Sequence, residues 1–318
     1  MRRRGGSLLG VLSVPVLLFG LLVLALASCV PGSGRPPVAL PTGPPEAYVG
    51  ADTCKLCHED VDKKFGQTKM GRLFVNQPRN EKERLNCEGC HGPGKTHVEQ
   101  GGATPMPVSF TKKDKNPVEV RNAVCLQCHE RTARLFWQGS PHESRDVACT
   151  NCHNVMTQIS ARAQLRKPTE IETCGQCHLD KRAQTLRSSH MPLREGKMTC
   201  TSCHNPHGTV TPALLKENSV NETCYTCHAE KRGPFLWEHA PVPENCLNCH
   251  DPHGSNNEKM LRVSRPRLCQ QCHVESRHPT NPYGRDTASL KFVMGRACAS
   301  CHVNIHGSNH PSGFAFER

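Results

Sequence analysis

Two cysteines separated by two residues and followed at once by a histidine recur ten times in this 318-residue chain. The pairs are Cys54/Cys57, Cys87/Cys90, Cys125/Cys128, Cys149/Cys152, Cys174/Cys177, Cys200/Cys203, Cys224/Cys227, Cys246/Cys249, Cys269/Cys272 and Cys298/Cys301. The histidines are His58, His91, His129, His153, His178, His204, His228, His250, His273 and His302. A bare C-x-x-C suits half of a zinc site, a redox dithiol or covalent attachment of c-type haem. The adjoining histidine selects the third: the thiols bond to the haem and the imidazole becomes the proximal iron ligand. A zinc protein has no reason to place histidine after every pair, and a disulfide scaffold has none to keep a fixed gap. Twenty of the 21 cysteines are used in this way, so the expected cofactors are ten covalent haems.

The remaining cysteine, Cys29, follows Arg2, Arg3 and Arg4 and an apolar run from about Leu8 to Ala27. Residues 1–28 read as a secretory signal peptide. The stretch "LASC" resembles a bacterial lipobox, which predicts lipidation of Cys29. The alternatives are a plain signal with a stray thiol or a retained helix, since the run is about long enough to span a bilayer. Residues 29–50, rich in proline and glycine, read as a lipidated N-terminus and tether. The haem region is expected over 51–318, in the periplasm or at the outer membrane.

Each iron has a second face. Nine histidines are left once the proximal ones are assigned: His97, His142, His190, His207, His239, His253, His278, His306 and His310. His207 and His253 lie three residues beyond a proximal histidine. Three residues reach only about 11 Å at full stretch, too short to round a porphyrin. Each therefore either ligates a different haem or ligates none. His142, His190 and His239 follow a proximal histidine by 11–13 residues. That gap can loop round, which makes them candidates for the haem attached just upstream (His129, His178 and His228 respectively). Either His306 or His310 could serve near the C-terminus. Ten six-coordinate haems need one more ligand than these nine supply. Met70, 12 residues after His58, and Met156, three after His153, stand where the repeat calls for histidine. Methionine is a competent axial ligand that raises the reduction potential, although either residue could instead be ordinary packing.

The elements that must position these groups are short. "ETCGQCHLDKR" from Glu172 matches "ETCYTCHAEKR" from Glu222, and "CTSCHNPHG" from Cys200 matches "CLNCHDPHG" from Cys246. Internal similarity of this kind means stacked units, here about five units of two haems. With 9 Phe, 2 Trp and 3 Tyr the chain cannot easily build ordinary cores for its length. The porphyrins must supply most of the apolar interior. The fold expected is a multihaem cytochrome c, made of short helices and irregular loops wrapped round an elongated, wire-like row of haems, with little or no sheet. The formal charge of +12 does not indicate nucleic acid. The signal removes three arginines, and about twenty propionate charges bring the oxidised protein near neutrality. Asn221-Glu222-Thr223 forms a glycosylation pattern but sits beside a haem motif and carries no weight.

"CEGCHGPG", "SSHMPL", "CYTCHAEKRGPFLWEHAPVPENCLNCHDPHGS", "LCQQCH" and "CHVNIHGSNHPSG" resemble the MtrA/DmsE-type decahaem cytochromes over nearly all of residues 50–318. The resemblance implies an electron carrier rather than an enzyme. It implies a wire seated in an outer-membrane β-barrel porin, passing electrons between periplasmic or inner-membrane carrier cytochromes and an outer-surface multihaem cytochrome. It also implies mainly bis-histidine ligation. Met70 and Met156 depart from that pattern, and a lipid anchor at Cys29 is atypical of the periplasmic component. The competing readings are a reductase of a small oxyanion, which needs an open iron face, and a periplasmic electron store.

Overall fold

The computed structural model describes residues 38–111, 116–273, 297–311 and 313–316. The signal, Cys29 and His278 lie outside the described residues. From Leu40 the chain belongs to one compact unit, built of short helices and turns. The only β-pairing among the described residues is a set of isolated bridges.

The longest helices are at the N-terminal end: α1 (Ala51–Gln67), α2 (Lys69–Asn76) and α3 (Val118–His129). The α1–α2 corner is fixed by Thr68, whose hydroxyl accepts from Gly71 N–H at 2.9 Å and donates to the Phe65 carbonyl at 2.8 Å. Phe65 and Phe74 close it edge to face, with ring centroids 6.3 Å apart. Beyond α3 the helices shrink to one or two turns. Glycine, proline and Asx turns recur too often for longer ones to propagate.

Few apolar side chains are buried among the described residues: Phe65, Phe74, Val108, Trp137, Ala148, Leu165 and Leu261. Many others stay exposed next to the haem motifs, including Leu56, Leu135, Leu179, Leu186 and Leu236. Exposed leucines this near the motifs in sequence are surface that a porphyrin face could cover. The interior is instead organised by polar clamps. Pro41 to Gly50, expected to be tether, packs on the second motif. Val49 and Gly50 donate their backbone N–H groups to the Glu88 carboxylate at 3.0 and 2.9 Å, and Gly94 adds a third at 2.8 Å.

Candidate haem-binding sites

Each motif sits on one helical turn. The histidine N–H donates to the carbonyl of the first cysteine, at 3.0 Å in His91, 2.9 Å in His153 and 3.1 Å in His204. Residues i, i+3 and i+4 share a helix face, so both thiols and the imidazole point one way. In α1 the helix is interrupted at His58 (φ −117°, ψ 37°), and α3 ends at His129.

Within each two-motif unit the first cysteines are neighbours. The thiols of Cys125 and Cys149 share a hydrogen bond that pushes the first up and the second down in pKa, and Cys174 and Cys200 behave alike. Burial, with Cys246 beside it, pushes Cys224 up to about 12. Cys269 is raised by burial and by Cys298, and burial takes Cys87, beside Cys54, to about 11. Between units the second cysteines act on each other through charge. Cys152, Cys203 and Cys249 are each raised by burial and then by Cys177, Cys227 and Cys272 respectively. Cys90, raised by burial to about 11, feels Cys128. The attachment points thus follow one another in sequence order, with two alternating kinds of contact.

Cys57 and Cys301 are exposed, as are Cys128, Cys177, Cys227 and Cys272. The last motif keeps the same turn: His302 N–H donates to the Cys298 carbonyl at 3.0 Å, and Cys301 N–H to the same carbonyl at 3.1 Å.

The clamps that set this spacing were missed at the sequence level. Asn122 donates to the Val147 carbonyl at 3.0 Å and accepts from Cys149 N–H at 2.8 Å. Asn221 does the same one repeat-pair later, toward Val242, Pro243 and Cys246. Its amide is therefore engaged inside the fold. Glu170 takes the role for Thr201, accepting from its N–H and hydroxyl at 3.0 and 2.9 Å. The signal was available: "RNAVC" and "VNETC" both carry asparagine three residues before the first cysteine.

The even-numbered motifs hold their histidines in a common way. The Nδ1–H of His153, His204 and His250 donates to the carbonyls of Ala163, Ala213 and Lys259 at 2.9, 2.8 and 2.9 Å. Each acceptor is a left-handed residue (φ 56°) in a loop returned to its motif. His91 uses the Val108 carbonyl at 2.9 Å, and His302 that of Ala315. A carbonyl can only accept, so Nδ1 carries the proton and Nε2 is left with the lone pair a metal needs.

The second-face histidines then fall into place. Six pairs of histidine rings lie about 6 Å apart among the described residues, five of them near parallel and His142–His178 inclined at 65°. They are His58–His97 at 6.3 Å between centroids, His142–His178 at 6.1 Å, His153–His207 at 6.0 Å, His204–His253 at 6.1 Å, His239–His273 at 6.2 Å and His250–His306 at 6.2 Å. An imidazole nitrogen binds a first-row metal at about 2.0–2.1 Å, with the ring centre about 1 Å further back, so two rings sharing one metal lie about 6 Å apart. The residues fit an iron between each pair. Burial pushes His207 and His306 down to about 4 and lowers His239 and His253, which keeps the imidazoles in the neutral form that ligates.

This arrangement corrects the pairing expected for the 11–13-residue loops. His142 faces His178, not His129, and His239 faces His273, not His228. The loop does not turn back on its own haem. It runs forward, and its Nδ1–H is taken by the next unit: His142 by the Pro206 carbonyl at 2.7 Å and His239 by that of Ile305 at 3.0 Å. Gly208 makes the approach possible, since a Cβ there would lie 1.9 Å from the Phe136 carbonyl oxygen. His190 likewise cannot be the partner of His178, which His142 faces. Its ring is held by the Arg187 carbonyl and Glu195. His207 and His253 each face the preceding even motif; the short-reach argument had left a different haem or none. His306, rather than His310, faces His250.

Repeated thioether-type motifs, each with a metal-competent imidazole, define a multihaem c-type cytochrome. Comparison with known proteins agrees. The family described as the doubled CXXCH motif matches residues 190–233 and 239–278, and the NrfB-like c-type cytochromes match 87–177. The chain is 45% identical to the multihaem cytochrome MtrA of Shewanella baltica over 275 residues, covering 85% of this chain and 81% of that one. It belongs to the MtrA family. It is also 28% identical to the c-type cytochrome NrfB of Escherichia coli O6:H1, over 44% of this chain and 72% of NrfB. To the polyhaem cytochrome OmcC of Geobacter sulfurreducens it is 29% identical over 72% of this chain but 35% of OmcC.

Proposed function

We propose that the chain carries ten c-type haems in one row and conducts electrons along it, as the periplasm-side component of an outer-membrane conduit. When bound, each haem supplies an iron that takes up and returns one electron. The protein's part is positional. The asparagine and glutamate clamps fix neighbouring attachment turns. The crossed histidines tie each haem to the polypeptide of another motif or unit, so the row cannot spread without breaking ligands. Imidazoles on both faces leave an iron no position for a substrate, which favours a carrier over a reductase. The observation that carries this reading is the set of histidine ring pairs about 6 Å apart that cross between motifs and units.

The partners on this reading are a β-barrel porin, periplasmic or inner-membrane carrier cytochromes and an outer-surface multihaem cytochrome. Signal cleavage before Cys29 and its lipidation would hold the protein at a membrane. The test is the mature protein's mass, expected to show ten haems, followed by reconstitution with the co-purified barrel in liposomes enclosing a redox dye. External reductant should bleach the dye only when both proteins are present. Fewer haems, or bleaching independent of this chain, would refute the proposal. Stoichiometric carbon monoxide binding by the reduced wild-type protein would point to a reductase instead.

A further inference from the structure

Five of the six ring pairs obey two rules of register. A ligand 11–13 residues after an odd motif's histidine faces the next odd motif, as in His142–His178 and His239–His273. A ligand three or four residues after an even motif's histidine faces the preceding even motif, as in His207–His153, His253–His204 and His306–His250. At the N-terminal end His97 closes on His58. Carried to the first two units, the odd rule takes Met70 to His129. The even rule takes Met156 to His91. Neither methionine falls to the haem whose motif precedes it in sequence.

We infer that Met156 and Met70 are the axial ligands opposite His91 and His129, making the second and third haems of the row an adjacent, methionine-ligated pair of raised potential.

The backbone around Met156 supports this. Its N–H donates to the Asn154 side chain at 3.1 Å, as His207 does to Asn205 and His253 to Asp251, both at 3.2 Å. Asn154 is itself clipped to the Gln164 carbonyl at 2.8 Å, as Asn205 is to Leu214 and Asp251 to Met260. Met156 thus occupies the seat of a ligating histidine. The repeat also departs there at Val155, which stands for Pro206 and Pro252, and at Thr157, which stands for Gly208 and Gly254. The carbonyl before that seat is informative too. In later units it takes the N–H of the crossing histidine (Pro206 from His142, Ile305 from His239). The equivalent Val155 carbonyl receives the Gln164 amide at 3.5 Å. A thioether has no N–H to give, so a crossing methionine leaves that acceptor to another donor.

The ligand count closes on the same two irons. By the odd rule His190, whose Nε2 here meets Glu195 at 3.2 Å, would turn to His228 once haem is bound; with His278 and His310 in the last unit's sequence, His91 and His129 are the proximal histidines left without an imidazole. Their motifs meet at the boundary of the first two units, where Lys82 hydrogen-bonds Gln127 inside the third motif. Methionine ligation raises the potential relative to histidine. Two such haems side by side give electrons a preferred resting place one step from the N-terminal end of the row.

This inference rests on the haem row proposed above but fails separately from it, because a fully bis-histidine row would still conduct. The full-length haem-loaded protein is compared with M70H and M156H, which keep a ligand at each site. Wild-type ferric protein should show the sulfur-to-iron charge-transfer band at two haems' intensity, and two of ten haems should reduce first in a spectroelectrochemical titration. Each single variant should lose half the band and one early-reducing haem, and the double variant should lose both. M70L and M156L should each gain one carbon monoxide site instead. A wild type without the band, or a variant that retains it in full, overturns the inference. In a crystal structure of the haem-loaded protein the sulfurs should face the irons of His129 and His91. Met70 on the iron of His58 would overturn the crossing.

Discussion

Glu88 offers a quantitative test of how the first two haem motifs are held together. It lies between the cysteines of the second motif, is 3% exposed, and accepts three backbone N–H groups from Val49, Gly50 and Gly94. Oε1 serves Val49 and Gly94, and Oε2 serves Gly50. In Glu88→Gln the amide keeps one oxygen, so the pair on Oε1 survives in neutral form while the Gly50 N–H meets an NH₂ group. Hydrogen bonds to charged groups contribute about 1.5–3 kcal/mol each. Loss of one, with weakening of two, should cost about 2–3 kcal/mol. Glu88→Ala removes all three and should cost about 3–5 kcal/mol, below the full sum because water can reach the loosened loop. The assay is native-state hydrogen exchange on the haem-loaded protein, read at the amides of 49, 50 and 94. Since 1.4 kcal/mol is a factor of ten, the glutamine variant should exchange these sites on the order of 30–100 times faster. Exchange in the last two units should be unchanged. Unaltered exchange at 49, 50 and 94 would refute the clamp; equal acceleration throughout the chain would mean that Glu88 acts globally rather than by pinning α1 to the second motif.

Two further outcomes follow from the same contacts. His207→Ala should convert one haem of the ferric protein to high spin and create one carbon monoxide site on the iron of His153, leaving that of His204 six-coordinate; a structure of the variant locates it, and an open face opposite His204 would refute the crossed pairing. The Arg79 guanidinium, 2.7 Å from Glu83, holds that carboxyl below its ordinary value of 4.5. A depressed carboxyl contributes stability that is present above the unfolded value and lost as pH falls through the folded one. Local protection around Glu81–Arg84 should therefore fall away progressively below about pH 4.5, and Arg79→Ala should move that loss to higher pH; a variant with the wild-type profile would refute it.

Much of this molecule is legible without coordinates. Ten cysteine pairs, each with its histidine, announce covalent haem because no other chemistry needs all three groups at that spacing. The scarcity of Phe, Trp and Tyr announces a fold of short helices lacking an ordinary core. The three-residue gap between His204 and His207 excludes one shared iron on reach alone. The loop pairings were not legible, because 11–13 residues can turn back or run forward with equal ease and sequence spacing cannot choose. The proline-rich segment after Leu40 reads as a tether by composition, yet Glu88 takes up its last N–H groups. Asn122 and Asn221 were overlooked because a buried amide looks like any surface asparagine until its partners are seen.

The sequence by itself determined the cofactor class, the number of attachment motifs and the two-motif repeat, since these follow from local covalent chemistry within five residues. Only the tertiary structure decided which histidine faces which. The choice rests on contacts between residues 64 and 66 positions apart, His142 with Pro206 and His239 with Ile305, the first made possible by a glycine that lets two backbones approach.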